Sequence, residues 1–218
     1  MYIRPELRAG AAVMSLFEPT HPLIRHAGRV VPALWPVPYI HGVRTRHVKN
    51  RDIHATIYEP ENPRAVVLWI HGGGLVMGHP RQDVKHLKET AAEVGVTVVA
   101  PHYRFAPEHP YPAALDDVHR AHHWLVTHAG ELGVSPDRIV IGGQSAGGGL
   151  AAALCQRLHD EGGTQPVGQW LFCPMLDDRA ASEERNVIWD AESNARAWRF
   201  YVRDNPDAPY AVPGRRAD

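Results

Sequence analysis

The stretch that decides the fold is Arg138–Leu154, "RIVIGGQSAGGGLAAAL". Its first half is a short apolar run of the kind a strand buried on both faces requires, and its second half is an alanine-rich helix pattern. Between them lies Gly143-Gln144-Ser145-Ala146-Gly147, a G-x-S-x-G pattern. Gly143 and Gly147 are small enough to let a strand turn sharply into a helix, leaving Ser145 at the apex. The N–H of Ala146 then sits at a helix N-terminus, where the dipole favours negative charge. Such a serine needs a base to remove its proton before it becomes a useful nucleophile.

Working outward, "HATIYEP" (54–60) alternates like a strand, and the continuous apolar texture recurs in "AVVLWIHG" (65–72), "VTVVAPHY" (96–103) and "VGQWLFCPM" (167–175). Helical patterns over Gln82–Val94, Pro112–Ala129 and Ala146–Glu161 separate these runs. Buried strands alternating with helices predict an α/β fold, a mostly parallel sheet with helices on both faces. Function in such sheets gathers at the carboxyl ends of the strands. The first 45 residues are proline-rich and mixed, with a short helix possible in "ELRAGAAVMSL" (6–16) and no clear strand. They are read as an N-terminal cap segment (1–45), followed by the core domain (46–218).

At the end of the run "AVVLWI" comes His71-Gly72-Gly73-Gly74. A triple glycine at a strand's carboxyl end exposes amide N–H groups and can aim two of them at one point, as an oxyanion requires. A phosphate-cradling loop or a plain turn is the other reading. Neither G-x-x-x-x-G-K-[ST] nor G-x-G-x-x-G is present to favour the phosphate.

Bulk composition bounds the partners. The chain has 218 residues, 44% hydrophobic and 22% charged, with 23 Lys and Arg against 24 Asp and Glu, a net charge of -1. That length suits one sizeable domain, and the balance argues against nucleic acid. "MYIRPELRAG" has no secretory core, and the longest clean apolar run, Ala65–Ile70, is far too short to span a bilayer. No membrane partner is expected. Cys155 and Cys173 read as buried free thiols, which places the protein in the cytoplasm. The 15 histidines raise the question of a metal. His119, His122 and His123 fall at helical spacing, but no ligand pattern such as H-E-x-x-H exists, so a solvated face is expected for His119 and His123 and neither metal nor cofactor for the protein.

Four blocks in order, His71–Gly74, "YRFAPEHPYPAALDD" (103–117), "GQSAGG" and "PMLDDR" (174–179), resemble the hormone-sensitive-lipase-like esterases of the α/β-hydrolase fold. The resemblance runs over about residues 50 to 218. It implies Ser145 as nucleophile, Gly73, Gly74 and Ala146 as oxyanion donors, and His71 and Gly72 as loop residues supporting them. It implies a carboxylic-ester hydrolase acting on small, short-acyl esters through an acyl-enzyme, with no cofactor. Gln144, His102 and Phe105 depart from the family's usual residues, without removing a catalytic group.

The family's triad runs Ser, then Asp or Glu, then His. After Ser145 the sequence contains one histidine, His159, 14 residues on along the same predicted helix and roughly 21 Å away at 1.5 Å per residue. A base must come within about 3 Å. Asp177 and Asp178 stand at a strand end, where the family's LDDR segment is structural. The sequence therefore predicts a nucleophile and oxyanion hole without their acid and base, and a core lacking its last two strand-helix units, about 60 residues. An inactive fragment of an esterase is expected. The alternative is a receptor-like relative that binds a small ligand without turnover. In either case "VGQWLFCPML" becomes an apolar edge through which copies could associate.

Overall fold

The computed structural model describes residues 4–14, 18–179 and 189–217. Ser15 and Leu16, at the end of the expected N-terminal helix, lie outside them, as do Met1–Ile3 and Asp218. Six strands, β1 (Val43–Lys49), β2 (His54–Pro60), β3 (Val66–Ile70), β4 (Thr97–Pro101), β5 (Ile139–Gln144) and β6 (Gly168–Phe172), form one sheet in the order β1-β2-β4-β3-β5-β6. β3 is parallel to β4 and β5, and β5 to β6, whereas β2 is antiparallel to both β1 and β4.

Six α-helices are described: α1 (Arg8–Met14), α2 (Pro22–Val30), α3 (Val84–Val94), α4 (Ala113–His128), α5 (Ala146–Glu161) and α6 (Ala191–Val202). One face of the sheet is covered by α3, whose Val84, Leu87 and Ala91 pack on Val67, Trp69 and Val98. On the other face α4, α5 and α6 enclose Leu68, Ile70, Ile139 and Ile141. The two-sided cover explains why all five residues of β3 are buried. Burying Leu68 and Ile70 stabilises the sheet by about 1.5–3 kcal/mol each.

Three elements escaped the sequence reading: α2, β1 and α6. β1, "VRTRHVK", lacks an apolar face and pairs along its whole length with β2. It begins at Val43, so a boundary at 45/46 cuts through a strand. α6 owes its place to Ala197, Trp198, Tyr201 and Val202, which are spaced as one buried stripe. "HATIYEP" also differs from the half-buried strand its alternation suggested: five consecutive residues are buried, because β2 is an inner strand with α3 packed against it.

β6 is the outer strand on its side, and Trp170 and Phe172 are exposed. Cys173, just beyond it, is exposed and Cys155 is half-buried, which corrects the expectation of two buried thiols. The reason is the position of β6 at the sheet margin. On α4, His123 faces solvent and His119 pairs with Glu161 at 2.9 Å, while His122 turns inward and is buried. Among the described residues no His, Cys, Asp and Glu side chains cluster to hold a metal ion, and no helix is long and apolar enough to cross a membrane.

Candidate active site

Strand register assembles the site. Ile70 of β3 is level with Gly143 of β5, and Gln144 of β5 is level with Phe172 of β6. The segments that follow, His71–Gly74, Ser145–Gly147 and Cys173–Arg179, therefore emerge side by side at the carboxyl end of the sheet. The glycines permit that closeness. A Cβ on Gly72 would lie 3.4 Å from Ser145 Cβ, and one on Gly147 would lie 2.0 Å from the Ile70 carbonyl oxygen.

Ser145 is the residue before α5, with φ 53° and ψ -118°, a conformation that costs about 1–3 kcal/mol for a side chain with a Cβ. Three backbone hydrogen bonds hold it there. Its N–H donates to Phe172 O at 2.9 Å, and its carbonyl accepts from Gly149 N at 3.0 Å and Met175 N at 2.9 Å. The hydroxyl is thus presented at the apex by β6 and its following loop as much as by the G-x-S-x-G motif. Ala146 is buried at the first position of α5, where its amide carries the positive end of the helix dipole.

The triple-glycine loop is equally fixed. Gly73 and Gly74 have φ of 126° and 61°, and Gly73 O accepts from both Val76 N and Met77 N at 3.1 Å. His71 is buried beneath the loop, with its Nδ1–H donating to Gly72 O at 2.8 Å and its ring stacked on Tyr103 at 4.4 Å. The Tyr103 hydroxyl donates to His71 O at 2.9 Å. Burial pushes the His71 imidazole down to about 4 and raises the Tyr103 phenol, so both are neutral struts. Trp189 was not singled out by the sequence, yet its indole covers Gly74: a Cβ there would lie 1.9 Å from its ring carbon Cη2. An isolated tryptophan outside any motif gives no sequence signal for that contact. Arg29 of α2 was also missed, and it donates to Val76 O at 2.7 Å and Ala106 O at 3.2 Å, steadying the segment after the loop.

His159 is in the last turn of α5, at the opposite end from Ser145. Asp177 is held down to about 2 by its hydrogen bonds from the Arg179 side chain and backbone, and Asp178 pairs with Arg215 at 2.7 Å. Both carboxylates tie loops together. Among the described residues no histidine hydrogen-bonds either of them or the Ser145 hydroxyl.

With this geometry in view, likeness to known proteins is informative. The family model for the alpha/beta hydrolase fold matches residues 67–218. The chain belongs to the hormone-sensitive-lipase-like esterases of that fold. It is 40% identical over 159 residues to esterase LipI of Mycobacterium tuberculosis, covering 69% of this chain and 49% of that protein. Hormone-sensitive lipase of Bos taurus is 33% identical over 150 residues, 68% of this chain and 20% of that protein. The structure of a bacterial heroin esterase superposes with a TM-score of 0.78 at 31% identity, covering 99% of this chain and 75% of that one. The chain spans about half the length, or less, of the curated relatives it matches.

Beside the triple-glycine loop, membership of the fold does not account for a stack of imidazoles. His102 lies face to face with His54 at 3.7 Å and edge-on to His79 at 4.8 Å. Burial, then the charges His54, His79, His71 and His47 would carry, pushes His102 down to about 3. Burial lowers His54 and His79 as well, with Lys49 and Arg81 as the next causes. The unfolded chain takes up these protons near the ordinary value of 6.5, before the folded one does. The contribution of the stack is therefore fully present above pH 6.5 and is lost as pH falls toward 3. His102→Phe keeps the stacking and removes the titration, so its melting temperature should fall less steeply than that of the parent between pH 6.5 and 4. Parallel slopes in a thermal-melt series would sink this account.

Proposed function

We propose that this chain carries the nucleophile and the oxyanion-binding half of a carboxylic-ester hydrolase acting on small, short-acyl esters. Ser145 Oγ attacks the ester carbonyl. The N–H groups of Gly73, Gly74 and Ala146 receive the oxyanion, the alcohol leaves, and water releases the acid from the acylated serine. The carrying observation is the level register of Ile70 with Gly143, which sets the triple-glycine loop against Ser145. The likeness to carboxylesterases supports the reaction class.

The proton from Oγ needs an acceptor, and none of the described histidines meets it. We therefore read the 218 residues as a nucleophile without its base, in which water must take the Oγ proton and both acylation and turnover are slow. Hydrolysis of p-nitrophenyl acetate and butyrate, with intact-mass detection of acylated protein, tests both parts. Turnover should not exceed about 10³–10⁴ times the uncatalysed rate, the share an oxyanion hole and binding supply alone. An acyl group should appear on Ser145 and be absent from Ser145→Ala. Equal acylation of both proteins would remove the nucleophile assignment, whereas fast turnover lost in Ser145→Ala would show that a base is present after all.

A further inference from the structure

The chain that leaves the triple glycine folds back onto it, and a histidine stands where it turns away. Gly78 has φ 119° and lies against the loop: a Cβ there would be 2.4 Å from Gly72 O and 2.6 Å from His71 Nδ1. His79 is the next residue, and its side chain ties this point to the turn Pro80–Asp83, which leads into α3. Its Nδ1 accepts from Arg81 N at 3.0 Å, while its backbone N–H donates to Gln82 Oε1 at 3.2 Å. The ring also meets His102 edge-on, and His102 lies on His54. Gly73 O in turn holds Val76 N and Met77 N, so residues 73 to 83 form one bonded run from the loop to the His79 ring.

Only a neutral ring can make this contact. Neutral imidazole has one N–H and one lone pair, whereas imidazolium has two N–H groups and accepts nothing. A protonated Nδ1 would face the Arg81 N–H donor against donor, and the turn would lose the bond that caps it. The surroundings do not compensate a charge here. Arg81 and His54 oppose one on His79, and Lys49, His47 and His71 oppose one on His54 or His102. An open cavity of about 350 Å³ beside His54 and His102 brings solvent to the stack, with Arg51, Arg104 and Arg120 in its wall. The nearby carboxylates are engaged or turned to water. Asp117 pairs with Arg104 at 2.9 Å and with Arg120, Asp83 accepts from the Trp69 indole at 2.8 Å, and Asp52 is exposed. Among the described residues no carboxylate hydrogen-bonds any of the three rings.

We propose that His79 is a positioning residue for the triple-glycine loop, holding it while the ring is neutral and releasing it in acid. Burial sets the release below the ordinary imidazole value of 6.5. The consequence for Ser145 rests on the reading of Gly73 and Gly74 as oxyanion donors, because a released loop carries those N–H groups with it. The device is local, and so differs from the loss of overall stability expected of the stack.

Amide hydrogen exchange of the full chain, corrected for its intrinsic pH dependence, tests this without any chemistry at Ser145. Between pH 7 and about pH 4.5, protection of residues 73–83 should fall about five- to thirtyfold, the worth of one lost cap, while α5 keeps its protection. His79→Asn supplies an acceptor that does not titrate, so its loop should stay protected at both pH values. The proposal is overturned if the parent segment does not change, or if α5 loosens in step with it. It is equally overturned if His79→Asn loosens in acid as the parent does, or is already open at pH 7. The rate at which an alkyl fluorophosphonate labels Ser145, followed over the same range, should fall more steeply in the parent than in His79→Asn. Equal profiles beside the expected exchange would support the positioning role of His79 and count against the oxyanion reading of the glycines.

Discussion

Gly147→Ala should cost more than about 3 kcal/mol, enough to leave little folded protein in a domain whose total stability is on the order of 5–15 kcal/mol. A single methyl has this effect because of where it would point. Its carbon would lie 2.0 Å from Ile70 O, 2.5 Å from His71 O and 2.6 Å from Ile70 C, all backbone atoms at the buried end of β3. No flexible side chain is present to give way, so α5 would have to lift off the sheet. Gly143 is packed as closely on the β5 side, where a Cβ would lie 2.4 Å from Gly147 O. Gly163→Ala is the matched control, because a Cβ there meets nothing within 4 Å, and its effect should stay within about 0.5 kcal/mol. Urea titrations of the two variants decide the matter. Equal midpoints would mean that α5 is not packed against β3 as described.

That contrast also shows what the sequence could and could not convey. Gly143 and Gly147 were legible as elbow residues because the need for a small residue is local to the strand-to-helix turn. The inner strands were legible because burial on both faces demands unbroken apolar runs, as in Val66–Ile70. β1 was not, because an outer strand with α3 touching it at few points can be written in Arg, Thr, His and Lys. The clamp on Ser145 was equally hidden. Phe172 and Met175 hold it through backbone atoms, and a backbone hydrogen bond leaves no trace in residue identity.

The same distinction separates the parts of the candidate site. The glycines of the loop and the serine are named by their chemistry, so Ser145, Gly73, Gly74 and Ala146 could be picked out in the sequence, and the fold sets Gly72 of that loop beside Ser145. Trp189 over Gly74 and Arg29 beneath Val76 come from distant segments with no motif of their own, and only the folded chain brings them to the loop. His102 shows the converse. Its position among four other histidines depends on the pairing of β2 with β4, and without that pairing the fifteen histidines raise only the question of a metal.

Gly73→Ala should slow acylation of Ser145 by about 10²–10³-fold while leaving the sheet folded, the loss typical of one oxyanion donor. At φ 126° an L side chain is strained whatever the space, and here the added carbon would also lie 2.0 Å from Met77 O and 2.7 Å from Met77 C. Unlike Gly147, the residue sits beyond the strand end, in a turn closed by two 3.1 Å hydrogen bonds from Val76 N and Met77 N to its own carbonyl. The loop can relieve the clash by rotating its peptides, and that rotation carries the N–H groups of residues 73 and 74 away from the oxyanion position proposed for them and Ala146. The rate of phosphonylation by an alkyl fluorophosphonate, with water taking the Oγ proton and fluoride leaving, reads the donors with no deacylation step, and a melt run in parallel reads the fold. A slow rate with a near-parent melting temperature supports the assignment of Gly73. An unchanged rate would mean that the oxyanion is held elsewhere. A collapsed melting temperature would place Gly73 with Gly147, as a residue the fold needs before the chemistry does.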